Sequence, residues 1–534
     1  MAAVPTNTRA IVLAFFVAFG FLFGYDIGVI SGLLVMPDFV QRFGQENPDG
    51  TFTLSESRQS IITSLLSAGT FVGALGQAFT ADRFGRRPTI LIWAAIFTIG
   101  VAIQTATIDS IAQITIGRFI AGLGVGAMSA VVPLYNGETA PKALRGTLLV
   151  LYQVQIITGI FLSYVFDLGT HALSGPASWR IPVSLQLVWG CILLSGIFFL
   201  PESPWVNFTL RRSSPKTNYI TRRHLLGIGK REEACVVISQ LNSVPIDDPL
   251  VDELVDELQY AIDAENEGGK ATWLECFSPK NGLWKRVVNG MMLQFLQQLN
   301  GQNFYYYYGD TFFQSAGTTL SPYVIQVILG AVSVVGTIPA LWAIERVGRR
   351  RLLLIGAAWQ AVCALIAGLS GHFTLAPPNT PIDSLTPRNK QGGDVLIAFA
   401  VLHVFGFSLF WGPTPWVYLG ESFPLRIRPK AIALGSATNW VWNFLLSFFA
   451  PKIAGDIGPL ILLIFFGMLV VAFVYVFFFI PETKGLTLEE VDEMYRSGVK
   501  PWNSPSWTPT LSQRAHEKAV AHEVRQEREK DESM

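Results

Sequence analysis

About a dozen apolar blocks, each near the length of a bilayer-spanning helix, constrain this chain more than any other feature. They lie near residues 10–31, 60–80, 89–107, 111–135, 146–166 and 180–200, then near 287–309, 322–344, 352–371, 395–420, 430–451 and 457–480. In lipid every backbone polar group must be satisfied within the segment, so such blocks fold as helices. The expected fold is an all-α membrane protein of twelve spans. Composition agrees: only 15% of the 534 residues are charged, against about 25% in a soluble domain. A soluble enzyme and a disordered scaffold are both excluded. The first block reads as a retained helix and not as a cleaved signal, because Asp26 follows inside it without a small-residue cleavage site. Lysine plus arginine equals aspartate plus glutamate, 39 each, so no basic field points to nucleic acid. The four cysteines have no metal-ligand spacing.

The blocks divide the chain into an N-terminal six-helix half (1–200), a polar linker (201–286), a C-terminal half (287–480) and a polar tail (481–534). The linker contains an amphipathic stretch, Val251 to Ala264. The tail reads as disordered beyond Pro501. Arginine and lysine crowd alternate loops: Arg83, Arg86 and Arg87, then Lys142 and Arg145, and later Arg346 with Arg349 to Arg351, then Arg426, Arg428 and Lys430. The positive-inside rule makes that face, both termini and the linker cytoplasmic. The expected location is the plasma membrane, with multiple passes.

The two halves repeat. Asp82-Arg83-Phe84-Gly85-Arg86-Arg87 returns as Glu345-Arg346-Val347-Gly348-Arg349-Arg350. Glu138 and Arg145 around Pro141 return as Glu421 and Arg428 around Pro424, and Pro201-Glu202 returns as Pro481-Glu482. Three matches in the same order indicate a duplicated six-helix unit, an architecture suited to alternating access. The acids and arginines are placed to pair across neighbouring helix ends. They form a candidate cytoplasmic gate that would hold when that side is shut and part when it opens.

Charges inside the spans are expensive and therefore informative. Asp26 in span one and Arg118 in span four are expected to pair, either structurally or as a proton relay. Span seven carries Gln297, Gln298, Asn300, Gln302 and Asn303, followed by four tyrosines that include Tyr305 and Tyr307. Gln153 and Gln155 in span five, Trp411 and Trp416 in span ten, and Asn439, Trp440, Trp442 and Asn443 in span eleven complete the set. Amides donate and accept hydrogen bonds as a hydroxyl-rich ligand does, and aromatic rings cover the apolar face of a sugar. Neither paired carboxylates, a nucleophilic triad nor a metal cluster accompanies them, so the reading is a carrier, not an enzyme, with no cofactor. Gly412-Pro413-Thr414-Pro415 is expected to break span ten.

Together these motifs resemble the sugar porter family of the major facilitator superfamily, fungal hexose transporters in particular, over about residues 10 to 500. Gly24-Tyr25-Asp26, Gln297-Gln298-Leu299, Gly412-Pro413-Thr414-Pro415-Trp416 and Pro481-Glu482-Thr483-Lys484-Gly485 carry the likeness with the arginine turns. The resemblance implies that Gln153, Gln297, Gln298, Asn303, Tyr307, Trp416 and Asn439 contact a sugar. It also implies that Asp26 and Arg118 form the proton-coupling pair. The expected function is transport of a monosaccharide, a hexose such as glucose, with facilitated diffusion and proton symport both open. A sugar-sensing receptor on the same fold, or a carrier of a polyol or quinate-like substrate, are the alternatives. The pattern departs in two places. Ala78 stands where the first arginine motif begins with glycine. Residues 205–222 interrupt the motif after Pro204, and their removal restores it in register. That stretch is either a translated intron or a real insertion.

Overall fold

The computed structural model describes residues 20–48, 50–84, 86–139, 145–197, 235, 272–279, 282–315, 320–375, 386–424, 427–486 and 488–508, with the side chains of Ala78, Asp82, Arg83, Pro133, Leu134, 136–150, Pro429, Leu488 and Glu489 left aside. The linker, the 205–222 stretch and Glu202 lie outside the described residues.

The N half comprises α1 (Gly20–Leu33), a short α2 (Pro37–Phe43), α3 (Glu56–Phe84), α4 (Arg86–Thr105), α5 (Ile111–Thr139), α6 (Arg145–Thr170) and α7 (Ala177–Ile197). Strands Gln45–Glu46 and Phe52–Thr53 pair in the loop after α2. The C half comprises α8 (Leu283–Gln298), α9 (Gln302–Ser315), α10 (Pro322–Val347), α11 (Arg349–Thr374), α12 (Pro387–Gly406), α13 (Thr414–Ser422), α14 (Arg428–Ile457) and α15 (Ile461–Phe479). Among the described residues, nine segments are long and apolar enough to cross a membrane unaided, or ten with the bent α1–α2 pair counted as one. The fifty-residue stretch Lys430–Phe479 is one of the nine. At 1.5 Å per residue it is two spans, not one, and it turns at Gly458, where φ is +57°. Span seven falls short for a different reason, since it is split into α8 and α9.

That split is the main departure from the expected single helix over 287–309. Gly301 has φ +95°, a backbone conformation that only glycine adopts freely. A Cβ there would also press on the Phe465 ring, 2.7 Å away. Span ten is likewise broken, but its irregular turn starts at Phe407, five residues before the proline motif begins at Gly412. The turn Phe407–Trp411 is a π-helix, closed by the Gly412 N–H donating to the Phe407 carbonyl at 2.7 Å.

Tight packing holds each half together. A Cβ at Gly24 would overlap the Ile156 carbonyl, so α1 and α6 touch backbone to backbone, the small-residue contact that lipid-embedded helices favour. The halves meet along α3 with α14 and along α6 with α10, and α1 packs on α9. The first two contacts exchange under the duplication, since spans two and eleven map onto spans eight and five.

The repeat is visible in side-chain geometry as well. Arg86 donates to the Ala81 carbonyl (3.0 Å) and Arg349 to the Ile344 carbonyl (2.9 Å). Arg87 reaches the Ile197 carbonyl (3.1 Å) and Arg350 the Ile480 carbonyl (3.0 Å). Each arginine turn thus ties the start of a third helix to the end of a sixth.

Directly after Pro501 the tail is ordered where disorder is expected, through residue 508; residues 509–534 lie outside the described residues. Helix α16 (Leu488–Arg496) is followed by a 3₁₀ turn, Pro501–Ser506. Asp492 accepts from Arg286 at 2.7 Å, and Tyr495 shares a hydrogen bond with Tyr418 at 2.6 Å. Ser504 accepts from the Glu482 backbone N–H at 2.8 Å, and Trp502 stacks on Phe477. Composition alone did not show these partners because they sit on span ends far away in sequence.

Candidate functional site

Span seven, in its two pieces, places four amide side chains beside α14. On α8, Gln294, Gln297 and Gln298 fall on one face at three-to-four spacing. On α14, Asn439 and Asn443 are one turn apart and face them. Asn439 donates to Gln294 Oε1 (2.6 Å) and Gln297 Oε1 (2.9 Å). Asn443 donates to Gln298 Oε1 at 2.9 Å, and Asn303 of α9 donates to the same oxygen. Tyr307 donates to Asn443 Oδ1 at 3.1 Å. Ser67 of α3 donates to that oxygen from the other half, at 2.6 Å. Trp440 crosses the same interface to Ser129 of α5 at 3.1 Å.

Gln297 has a second task that follows from a proline. Pro415 lacks the N–H that would bond the Trp411 carbonyl one turn back. The Gln297 amide supplies that donor, at 2.8 Å from the Trp411 carbonyl and 2.9 Å from that of Gly412. The other part of span seven repeats the device. Pro451 inside α14 leaves the Ser447 carbonyl free, and the Tyr308 hydroxyl donates to it at 2.5 Å. Both pieces of the broken span are therefore tied to carbonyls that prolines have released.

Of the expected residues, Gln297, Gln298, Asn303, Tyr307 and Asn439 form one network. Gln153 of α6 faces Gly412 from the N half, its Nε2 3.4 Å from where a Gly412 Cβ would stand. Trp416 lies one turn beyond Gly412 and is half-buried. Trp411 does not join the set. It is fully buried and donates to the Leu353 carbonyl at 3.0 Å, away from the amides. Trp442 also turns aside and packs edge-on against Phe295. Gln294, Ser67 and Ser129 were missed; for Gln294 the signal was present, one turn before Gln297 and Gln298. Gln294 Nε2 is buried without a hydrogen-bond partner, a free donor beside the network.

Asp26 and Arg118 do meet. Arg118 Nη1 lies 3.8 Å from Asp26 Oδ1, with side chains 2% and 0% exposed. That is an ion pair by distance but too long for a hydrogen bond. Arg118 Nε and Nη2 and both Asp26 oxygens lack hydrogen-bond partners.

On the arginine face, the C-half cluster is closely bonded. Arg349 grips Glu421 with two bonds, 2.6 and 3.0 Å, and reaches Glu345 at 3.1 Å. Glu482 accepts from the backbone N–H groups of Arg349 (2.8 Å) and Arg350 (3.2 Å), capping the start of α11 where the helix dipole favours an anion. Arg428 donates to the Gly420 carbonyl. Arg346 lies over the Trp342 ring, 4.7 Å from its centroid, while its carbonyl accepts from Lys484. Arg86 bonds as described above. The N-half partners Asp82, Arg83, Glu138, Arg145 and Glu202 have side chains outside the described residues.

Comparison with known proteins agrees with this architecture. The family model for the sugar (and other) transporter family matches residues 12–495. The chain belongs to that family. Among its relatives, the low-affinity glucose transporter HXT4 of Saccharomyces cerevisiae is 40% identical over 494 residues, 92% of this chain and 82% of that protein. The high-affinity hexose transporter HXT6 of the same yeast is 39% identical over 499 residues, 93% of this chain and 84% of that one. The proton:xylose symporter XylE, solved with 6-bromo-6-deoxy-D-glucose, superposes with a TM-score of 0.72 at 25% identity, covering 92% of this chain and all of that one. Its inward-open form from Escherichia coli gives 0.67. The fold is that of the major facilitator superfamily.

Proposed function

We propose that the protein carries a monosaccharide, a hexose such as glucose, across the plasma membrane by alternating access, with the arginine face toward the cytoplasm. The observation that carries this reading is the amide network at the split of span seven. It joins α8, α9 and α14 and touches the other half through Ser67, with Gln153 opposite. A sugar hydroxyl can replace any of these internal bonds at little net cost, because each amide donates and accepts. In this reading Gln153, Gln297, Gln298, Asn303, Tyr307, Trp416 and Asn439 contact the sugar. The glucose and hexose transporters among its relatives support the substrate class. A neutral substrate also suits the charges: Arg118 is already beside Asp26, so a carboxylate ligand would have to displace an aspartate.

The halves are fastened on the outer side by Ser31 with Gln326 (2.9 Å) and by Tyr164 with the Tyr306 carbonyl (3.2 Å). Inward movement of α9 would make those contacts after the sugar enters. On the cytoplasmic side the two halves would part to release it, while the bonded C-half cluster moves with its own half. The loose Asp26–Arg118 pair is the candidate for proton coupling, and the likeness to a proton:xylose symporter supports symport.

The test is uptake of labelled glucose and xylose in a host lacking its own sugar carriers, with and without an uncoupler. Uptake is expected, with accumulation that collapses with the proton gradient. Surface-expressed protein that takes up neither sugar would overturn the reading. Uptake without accumulation would leave a facilitator.

A further inference from the structure

The outer seam contains two carboxyl groups with no part in the transport reading above. Asp167 of α6 is 1% exposed and lies against Gly32 of α1, where a Cβ would stand 2.6 Å from its Oδ2. Neither of its carboxyl oxygens has a hydrogen-bond partner. Asp310 of α9, across the seam, is also 1% exposed, and its Oδ1 is unpartnered. Ser31 joins the two sides: its hydroxyl oxygen lies 3.3 Å from the Asp310 backbone N–H and 2.9 Å from Gln326 Nε2. Gln326 is 1% exposed and pressed against Gly309, and its own Oε1 lacks a donor.

The cluster is thus rich in acceptors and short of donors. The titratable groups facing it are Tyr25 of α1, Tyr164 and His171 of α6, Tyr306 and Tyr307 of α9, and Tyr323 of α10. Asp26 and Arg118 lie deeper, beside Tyr307. His171 stacks on Tyr323 at 4.3 Å and bonds the Leu168 carbonyl. Two carboxylates cannot be shut away from water together without a compensating charge. A carboxyl that gains a proton becomes a donor as well, which is what these acceptors lack.

We propose that Asp167 and Asp310 form a proton-binding site that fills from the outer face as the seam closes. The proton comes from bulk water on the face where the seam opens and returns there when it reopens. It is not the proton carried by Asp26. Acid outside therefore favours the closed seam. Where the proposal speaks of uptake it rests on the transport reading, but seam closure can be measured without transport.

The experiment uses full-length protein in a C191S background, since Cys191 is exposed. An impermeant maleimide labels T170C, three residues past Asp167 and buried, relative to L173C, which stands at a 45% exposed position. The ratio cancels the pH dependence of thiol chemistry. It is expected to fall several-fold from pH 7.5 to pH 5. In D167N/D310N, whose amides supply donors at every pH, it should be low and flat. D310N alone should at least halve the slope and serves if the double variant does not reach the membrane. H171Q should keep the full response. A wild-type ratio that ignores pH, a normal slope in the Asn variants, loss of the slope in H171Q, or a response to sodium at fixed pH would each overturn the proposal. Labelling that follows pH in a protein that takes up no sugar would break the transport reading and leave this one standing.

Discussion

The buried charges of this molecule fall into two kinds. At the arginine face, Arg349, Glu421 and Glu482 are close to saturated: Glu421 receives two guanidinium bonds and a third from Thr483 (3.0 Å), and Glu482 caps α11. Within the membrane and at the seam opposite the arginine face, Asp26, Arg118, Asp167 and Asp310 are more deeply buried than Glu421, whose side chain is 25% exposed, yet poorly bonded. Saturation costs mobility, since breaking a bonded buried pair leaves a charge with nothing in exchange. A loosely held charge loses less when its neighbour moves. The first kind suits a fixed brace within one half. The second suits groups that change partner or protonation during a cycle.

The sharpest way to break that contrast is to remove one member of each kind and compare stability. Arg349→Ala strips Glu421 of its bidentate partner and should cost about 3 kcal/mol, as a markedly lower melting temperature of purified protein. Arg349→Lys should recover only part, because an ammonium cannot match the fork. Asp26→Asn keeps an acceptor beside Arg118 but removes its counter-charge; because the pair is 3.8 Å apart and makes no hydrogen bond, its melting temperature should drop less than that of R349A. Its effect should appear as lost accumulation with sugar exchange retained. Equal destabilisation by R349A and D26N would abolish the distinction between brace and relay.

A second test separates the amide network from both. Gln297→Ala removes the donor for two backbone carbonyls and the acceptor for Asn439. Unsatisfied buried polar groups cost about 1–3 kcal/mol each. The expectation is an uptake KM raised at least tenfold, with surface expression close to wild type. A loss confined to expression would make Gln297 a structural residue only.

Much of this was legible in the sequence, for physical reasons that particular residues illustrate. Span positions follow from lipid, which leaves a backbone no alternative to a helix, so boundaries near 89–107 and 352–371 needed no tertiary information. The Asp26–Arg118 pairing followed from the cost of a lone intramembrane charge. The split at Gly301 did not show, because a glycine in an amide-rich helix carries no sign of positive φ. The direction of Trp411 was hidden for a related reason: the π turn at Phe407–Trp411 rotates it away from the face a regular helix would give. Glu482 looked like a gate because its spacing matches Glu202. Its role as a cap depends on where span twelve ends relative to span nine, which spacing cannot reveal.

The smallest expected effect tests the link between proline and amide. Pro415→Ala restores an N–H that can bond the Trp411 carbonyl, so Gln297 no longer has to supply that donor. Taken alone, this exchange of one hydrogen bond for another is worth about 1 kcal/mol or less and should move the uptake KM only a few-fold. Its value lies in combination with Q297A. If Gln297 matters partly as the substitute donor, the two changes are coupled, and Q297A should cost less in the P415A background than in the wild type. Strict additivity would mean that the contact at 2.8 Å is incidental and that Gln297 acts through Asn439 or the sugar alone.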